Sequence, residues 1–96
     1  MNDKTKVIFD IKDNGEVYFD CLNHASDHDV CTIVTTLCDV LVAEALMLNH
    51  EPDKYEKGHI NIYLPATERH HREVFKAVKM VFEHIEDEHP GQVKVY

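Results

Sequence analysis

Residues 23 to 31 read Asn-His-Ala-Ser-Asp-His-Asp-Val-Cys, so two histidines, two aspartates and a cysteine fall within nine positions. Three kinds of site can be built from these residue types. Histidine, carboxylate and thiolate together are zinc ligands. A cysteine within reach of a histidine is a nucleophile with its base. A polar stretch of this kind also starts helices, with an aspartate accepting from the first N–H groups. The metal reading needs His24 and His28, four apart, on one helical face, yet the segment lies between strand-like and helix-like sequence. The pair His70-His71 would point about 100° apart on a helix. No metal and no cofactor is therefore expected.

In the nucleophilic reading Cys31 stands in the first turn of a helix. Unsatisfied N–H groups and the helix dipole there favour a thiolate and can hold an oxyanion. His24 ends the preceding strand, and Ala25 to Val30 is long enough to curl an imidazole back to the helix. In the structural reading the cysteine is core, because a cysteine outside a disulfide is among the most buried residue types. Cys21, in a strand, and Cys38, in mid-helix, are read that way. Spacing alone leaves both readings of Cys31 open.

The elements that must position these residues follow from periodicity. Residues 5 to 11 and 16 to 22 have strand character, and Asp13-Asn14-Gly15 between them is a hairpin turn signal. Val17, Phe19 and Cys21 share one face of the second strand. A helix is predicted from about 30 to 48, with Asp29 as N-cap and a stripe of Val30, Val34, Leu37, Leu41, Ala45 and Leu48. Ile33, Cys38, Val40, Val42, Leu46 and Met47 lie off that stripe, so the helix should be covered on more than one side. His50 to Gly58 reads as a polar connection. Residues 59 to 64 read as a strand with Ile60, Ile62 and Leu64 on one face. A second helix should start at Ala66 or Thr67 and run to about 88, with Val74, Ala77, Val78, Val81 and Ile85 inward. Pro90-Gly91 ends it, and Gln92 to Tyr96 reads as a last strand. The expected class is α+β: one two-layer domain over residues 1–96, in the order β-β-α-β-α-β, with two long helices on one face of a mainly antiparallel sheet.

Bulk composition narrows the function. The 96 residues carry 18 acidic against 10 basic side chains, a formal net charge of -8. Nucleic-acid binders present a basic face, so no nucleic-acid partner is expected, whereas an acidic surface suits a basic peptide or protein. No uninterrupted apolar run reaches membrane-span length, and Met1-Asn2-Asp3-Lys4 does not open a signal peptide. Three cysteines with no Cys-x-x-Cys pair argue for a reducing compartment. A cytoplasmic location and no membrane partner are expected.

The motifs and their order resemble the ribosomal-processing cysteine proteases, the Prp family. That family carries Gly-His-Ala after a hairpin and Asp-Ile-Val-Cys-Ala at the head of a long apolar helix, with a serine four residues after the cysteine. Here Asn23-His24-Ala25 is similar to the first motif and Asp29-Val30-Cys31-Thr32 to the second, and Thr35 falls at the serine position. Gly58-His59-Ile60-Asn61-Ile62 and Phe82-Glu83-His84-Ile85-Glu86 look like the family's third strand and second helix. The resemblance implies a homodimeric cysteine protease that removes the basic N-terminal extension of a large-subunit ribosomal protein, or, in a phage-encoded member, acts on a phage structural protein. It maps the nucleophile to Cys31 and the general base to His24. Asn23, Ala25, Asp27, His28, Asp29 and Thr35 are the residues expected to bind substrate or to orient His24. The chain departs from the family in two places. The histidine and cysteine are only seven positions apart, and Asn23 replaces the glycine. The alternative is a catalytically inactive, dimeric peptide-binding member of the same fold.

Overall fold

A computed structural model describes residues 4–23, 25 and 27–96. Strands β1 (Thr5–Ile11) and β2 (Val17–Leu22) form the expected hairpin, in a register that sets Val7 opposite Cys21 and Phe9 opposite Phe19. Its turn needs glycine. Gly15 has φ 107°, and a Cβ there would come within 3.2 Å of the Thr67 carbonyl oxygen. Helix α1 (His28–Met47) follows, then β3 (Lys54–Glu56), β4 (His59–Leu64), helix α2 (Arg69–Glu88) and β5 (Val93–Val95). The sheet order is β3-β4-β2-β1-β5. Every neighbouring pair is antiparallel except β1 with β5. The class is the α+β arrangement expected, with one strand more.

That extra strand is β3, which lies inside the connection read as polar and irregular. All three of its residues are exposed, so it has no apolar alternation to betray it. It exists because β4 offers an open edge, to which it adds by the pairs Lys54 with Asn61 and Glu56 with His59.

The core lies between the sheet and the helices. Val7, Phe9, Val17, Phe19, Cys21, Ile62 and Leu64 are its strand members. Helix α1 buries Val30, Val34, Cys38, Leu41, Val42 and Ala45 against them. The rings of Phe9 and Phe19 lie 4.9 Å apart, and Phe82 from α2 closes on both at 5.9 and 6.3 Å.

Helix α2 differs from the expected stripe. Phe75, Val78, Phe82 and Ile85 are buried, while Ala77 and Val81 are exposed and Val74 is half-buried. Val78 and Ile85 are inward as expected, and the centre of the buried face is turned from the expected one by roughly 60°, toward Phe75 and Phe82. Two phenyl rings remove far more apolar area from water than Ala77 and Val81 would. The helix also starts at Arg69 rather than at Ala66 or Thr67. The Thr67 hydroxyl donates to the Gly15 carbonyl at 2.7 Å, and its own carbonyl accepts from Arg72 at 2.6 Å. Thr67 is thus committed to the hairpin turn.

Helix α1 bears on the membrane-span reading. By length and composition it is apolar enough to cross a membrane, with mean hydropathy 1.9 over its best window. Thr32, Thr35 and Thr36 interrupt it, so a search for uninterrupted apolar runs overlooks it. Six of its residues are spent in the core, and it carries Asp39 and Glu44.

The rotated stripe makes a direct prediction. Phe82→Ala should lower stability by about 3–5 kcal/mol, and Val81→Ala by about 0.5 kcal/mol or less. Denaturant unfolding measures both, and similar losses would contradict the assignment of Phe82 to the core.

Candidate active site

The site forms where β2 ends, α1 begins and the β3–β4 hairpin turns. Asn23 leaves β2 at φ 73°, the left-handed region that asparagine adopts more readily than most residues. Its N–H donates to the Gly58 carbonyl at 2.8 Å, and its carbonyl accepts from the Thr5 hydroxyl at 3.3 Å. His24 lies outside the described residues. Ala25 is buried in the main core cluster, so its side chain anchors the connection.

Asp27, and not Asp29, caps α1. Its carboxylate accepts from the Val30 N–H at 3.1 Å, and its carbonyl accepts from the Cys31 N–H at 2.9 Å. Its own N–H donates to the Gln92 side chain at 2.9 Å, which ties the helix head to the approach to β5. Cys31 is therefore the fourth helical residue, at the close of the first turn. Its N–H and that of Val30 are both engaged by Asp27. The N–H groups of His28 and Asp29, one turn nearer the end, are the ones no residue inside the helix can satisfy. Helical side chains lean toward the N-terminus, so the Cys31 sulfur leans toward that turn. His28 and Asp29 are both exposed.

Cys31 is half-buried and lines a small cleft, open to solvent on one side, with Asn23, Val34, Thr35, Cys38, His59 and Ile60 among its walls. The walls are mainly apolar. The Thr35 hydroxyl donates back to the Cys31 carbonyl at 2.9 Å, so Thr35 is both wall and brace. Cys21 and Cys38 form the floor. No disulfide joins the three cysteines. The Cys21 thiol hydrogen-bonded to Cys38, together with burial, pushes the Cys38 thiol far above the ordinary cysteine range. Cys38 is thus a neutral core thiol at any physiological pH.

Two polar contacts near the cleft were not singled out from the sequence. His59 Nε2 lies 2.7 Å from Asp20 Oδ1, the imidazole N–H donating, and Asn61 donates to the same oxygen at 2.9 Å. Asp20 stands opposite Asn61 across β2 and β4, so the pair follows from a register that no single segment reveals. Strand alternation sends Asn61 and Asp20 to the sheet face away from the helices, while His59 itself is among the residues that line the Cys31 cleft. The second contact joins the Tyr55 hydroxyl of β3 to Asp39 Oδ1 of α1 at 3.0 Å. It crosses a groove that continues from the Cys31 cleft and shares Thr35, Gly58 and Ile60 with it.

The architecture is that of a solved protease. The chain is similar to the essential ribosomal processing protease Prp from S. aureus, solved in complex with a covalently linked product peptide, with TM-score 0.76 and 21% identity over 95% of this chain and 96% of that one. No protein-family model and no curated protein sequence matches the chain.

Two measurements check the site's geometry. Near neutral pH, iodoacetamide should modify Cys31 well before Cys21 and Cys38, as peptide mapping would show; equal rates at all three would contradict the placement. Asp27→Ala removes the cap, and unfolding should show a loss of about 1 kcal/mol. The same loss from Asp29→Ala would contradict the assignment of the cap to Asp27.

Proposed function

We propose that the protein is a cysteine endopeptidase that acts on a basic peptide, with Cys31 as nucleophile and His24 as general base. The observation that carries this is Cys31 itself: half-buried at the head of α1, in an apolar cleft continuous with a groove, on a fold shared with a protease. The cleft walls suit an apolar side chain beside the scissile bond, and the groove suits the extended chain that continues from it.

The chemistry is acyl transfer. The Cys31 thiol gives its proton to His24 as sulfur bonds to the carbonyl carbon, and the carbonyl oxygen becomes an oxyanion. The donors left for that oxyanion at the helix head are the N–H groups of His28 and Asp29. As the C–N bond breaks, His24 returns the proton to the leaving amine. Water then attacks the thioester, His24 takes its proton, and the Cys31 thiol is restored. The substrate we propose is the N-terminal extension of a large-subunit ribosomal protein, processed in the cytoplasm. A peptide binder without catalysis is the second reading. It is favoured by the engagement of the Cys31 and Val30 N–H groups with Asp27.

The same reading includes a homodimer. Ile33, Val40 and Met47 recur every seven residues on α1 and are 42%, 45% and 78% exposed. Val81, also 42% exposed, adds an apolar residue from α2. A second copy packed on this stripe accounts for apolar positions that the core does not use.

The test of function incubates wild type and Cys31→Ala with synthetic N-terminal peptides of bacterial large-subunit ribosomal proteins. Wild type should cut one within the peptide and Cys31→Ala should not; equal cutting, or binding without cutting by both, would sink the endopeptidase reading. The test of assembly is light scattering, where wild type should have twice the chain mass and Val40→Glu the mass of one chain. A monomeric wild type would remove the dimer.

A further inference from the structure

The groove between α1 and β3 takes no part in the bond-making and bond-breaking steps above, yet it leads directly from the cleft of Cys31. Along α1 its wall is built at four-residue steps: Cys31 and Thr35 on the cleft, then Thr35 and Asp39 on the groove. Residues four apart lie on one helical face, so these three side chains form one rail. At 1.5 Å per residue, Asp39 stands about 12 Å along the helix from Cys31. An extended peptide advances about 3.3 Å per residue, so its third or fourth residue from the bond cut reaches Asp39.

The charges at that end are specific. Asp39 accepts from the Tyr55 hydroxyl, a neutral donor, and among the described residues no cation is paired with it. The Asp39 bond also pushes the Tyr55 hydroxyl above its usual range, so it stays protonated and donating. Glu56, on the opposite wall, is bridged at 3.5 Å by Lys54. Lys57 also lines the groove, at the hairpin turn next to Gly58, which is the end shared with the cleft. The groove thus carries its cation near the scissile bond and its uncompensated carboxylate farther out. The protein's net charge of -8 adds a field that favours cations.

We propose that this groove is a subsite for a lysine or arginine of the substrate, three or four residues from the bond cut, and that Asp39 is its specificity-determining residue. Tyr55 presents the carboxylate, and Thr35 keeps the intervening chain on the rail. The proposal rests on the endopeptidase reading and goes beyond it by naming which part of the peptide is read and by what.

The experiment exposes wild type, Asp39→Asn, Asp39→Lys and Cys31→Ala to a bacterial peptide mixture produced by cutting after glutamate only, and maps the new termini by mass spectrometry. Asp39→Asn keeps an oxygen for Tyr55 and removes only the charge. Wild-type cuts should show lysine or arginine enriched at the third or fourth position on one side. Asp39→Asn should weaken that enrichment about two- to fivefold, the range of a partly exposed ion pair. Asp39→Lys should replace it with aspartate or glutamate. The same pattern in all three, or an acidic preference in wild type, would overturn the role of Asp39 while leaving the endopeptidase intact. If wild type cuts no more than Cys31→Ala, the endopeptidase reading falls and the subsite with it.

Discussion

Asp27 holds the head of α1 through three of its atoms: a carboxylate oxygen on Val30, a carbonyl on Cys31 and an N–H on the Gln92 side chain. Much of the site depends on this. The cap fixes where the helix begins, and so places Cys31 at the close of the first turn. It decides which N–H groups are spent and which are left at the end of the helix. The link to Gln92 ties that end to the strand beside β1, so the nucleophile is referenced to the far side of the sheet as well as to its own helix. Alternative starts would leave the same side chains in the sequence with different donors beside them.

The core then sets the rotation of the helix. Val30, Val34, Cys38 and Leu41 must face the sheet, which turns Cys31, Thr35 and Asp39 toward the β3–β4 hairpin. Asn23 closes the cleft from the other side, because its left-handed backbone lets β2 end against Gly58. Four separate stretches of chain meet in this way around one thiol. The two buried cysteines below it serve packing, and the contact with Cys21 together with burial keeps Cys38 neutral. The three cysteines thus divide by environment: one at a helix head in an open cleft, two in the core.

Much of this was legible in the sequence, and the failures have physical causes. The hairpin, both helices, the last strand and the inward face of β4 followed from periodicity and from Asp13-Asn14-Gly15. Asp27 rather than Asp29 caps the helix, and its N–H is held by the Gln92 side chain, a partner 65 residues away that local sequence does not reveal. Strand β3 was missed because its pairing comes from a neighbour's edge and its own residues are polar. The stripe on α2 was right at Val78 and Ile85 and wrong at Ala77 and Val81, because apolar residues populate two adjacent faces and Phe82 turns inward onto the Phe9–Phe19 pair. The groove contact between Tyr55 and Asp39 joins distant segments by tertiary packing, which local sequence does not encode. His24 was singled out by its motif and lies outside the described residues, so its role rests on the chemistry Cys31 requires.

The central claim is that Cys31 forms a covalent acyl intermediate with His24 as its base. The most direct measurement is stopped-flow acylation by an apolar N-acyl-peptide p-nitrophenyl ester, followed by peptide mapping of the quenched protein. The account predicts a burst of p-nitrophenol approaching one per chain, with the acyl group on Cys31. His24→Ala should slow the burst strongly, and Cys31→Ala should abolish it. An acyl group on Cys21, Cys38 or lysine, or a burst unchanged by loss of His24, would contradict it.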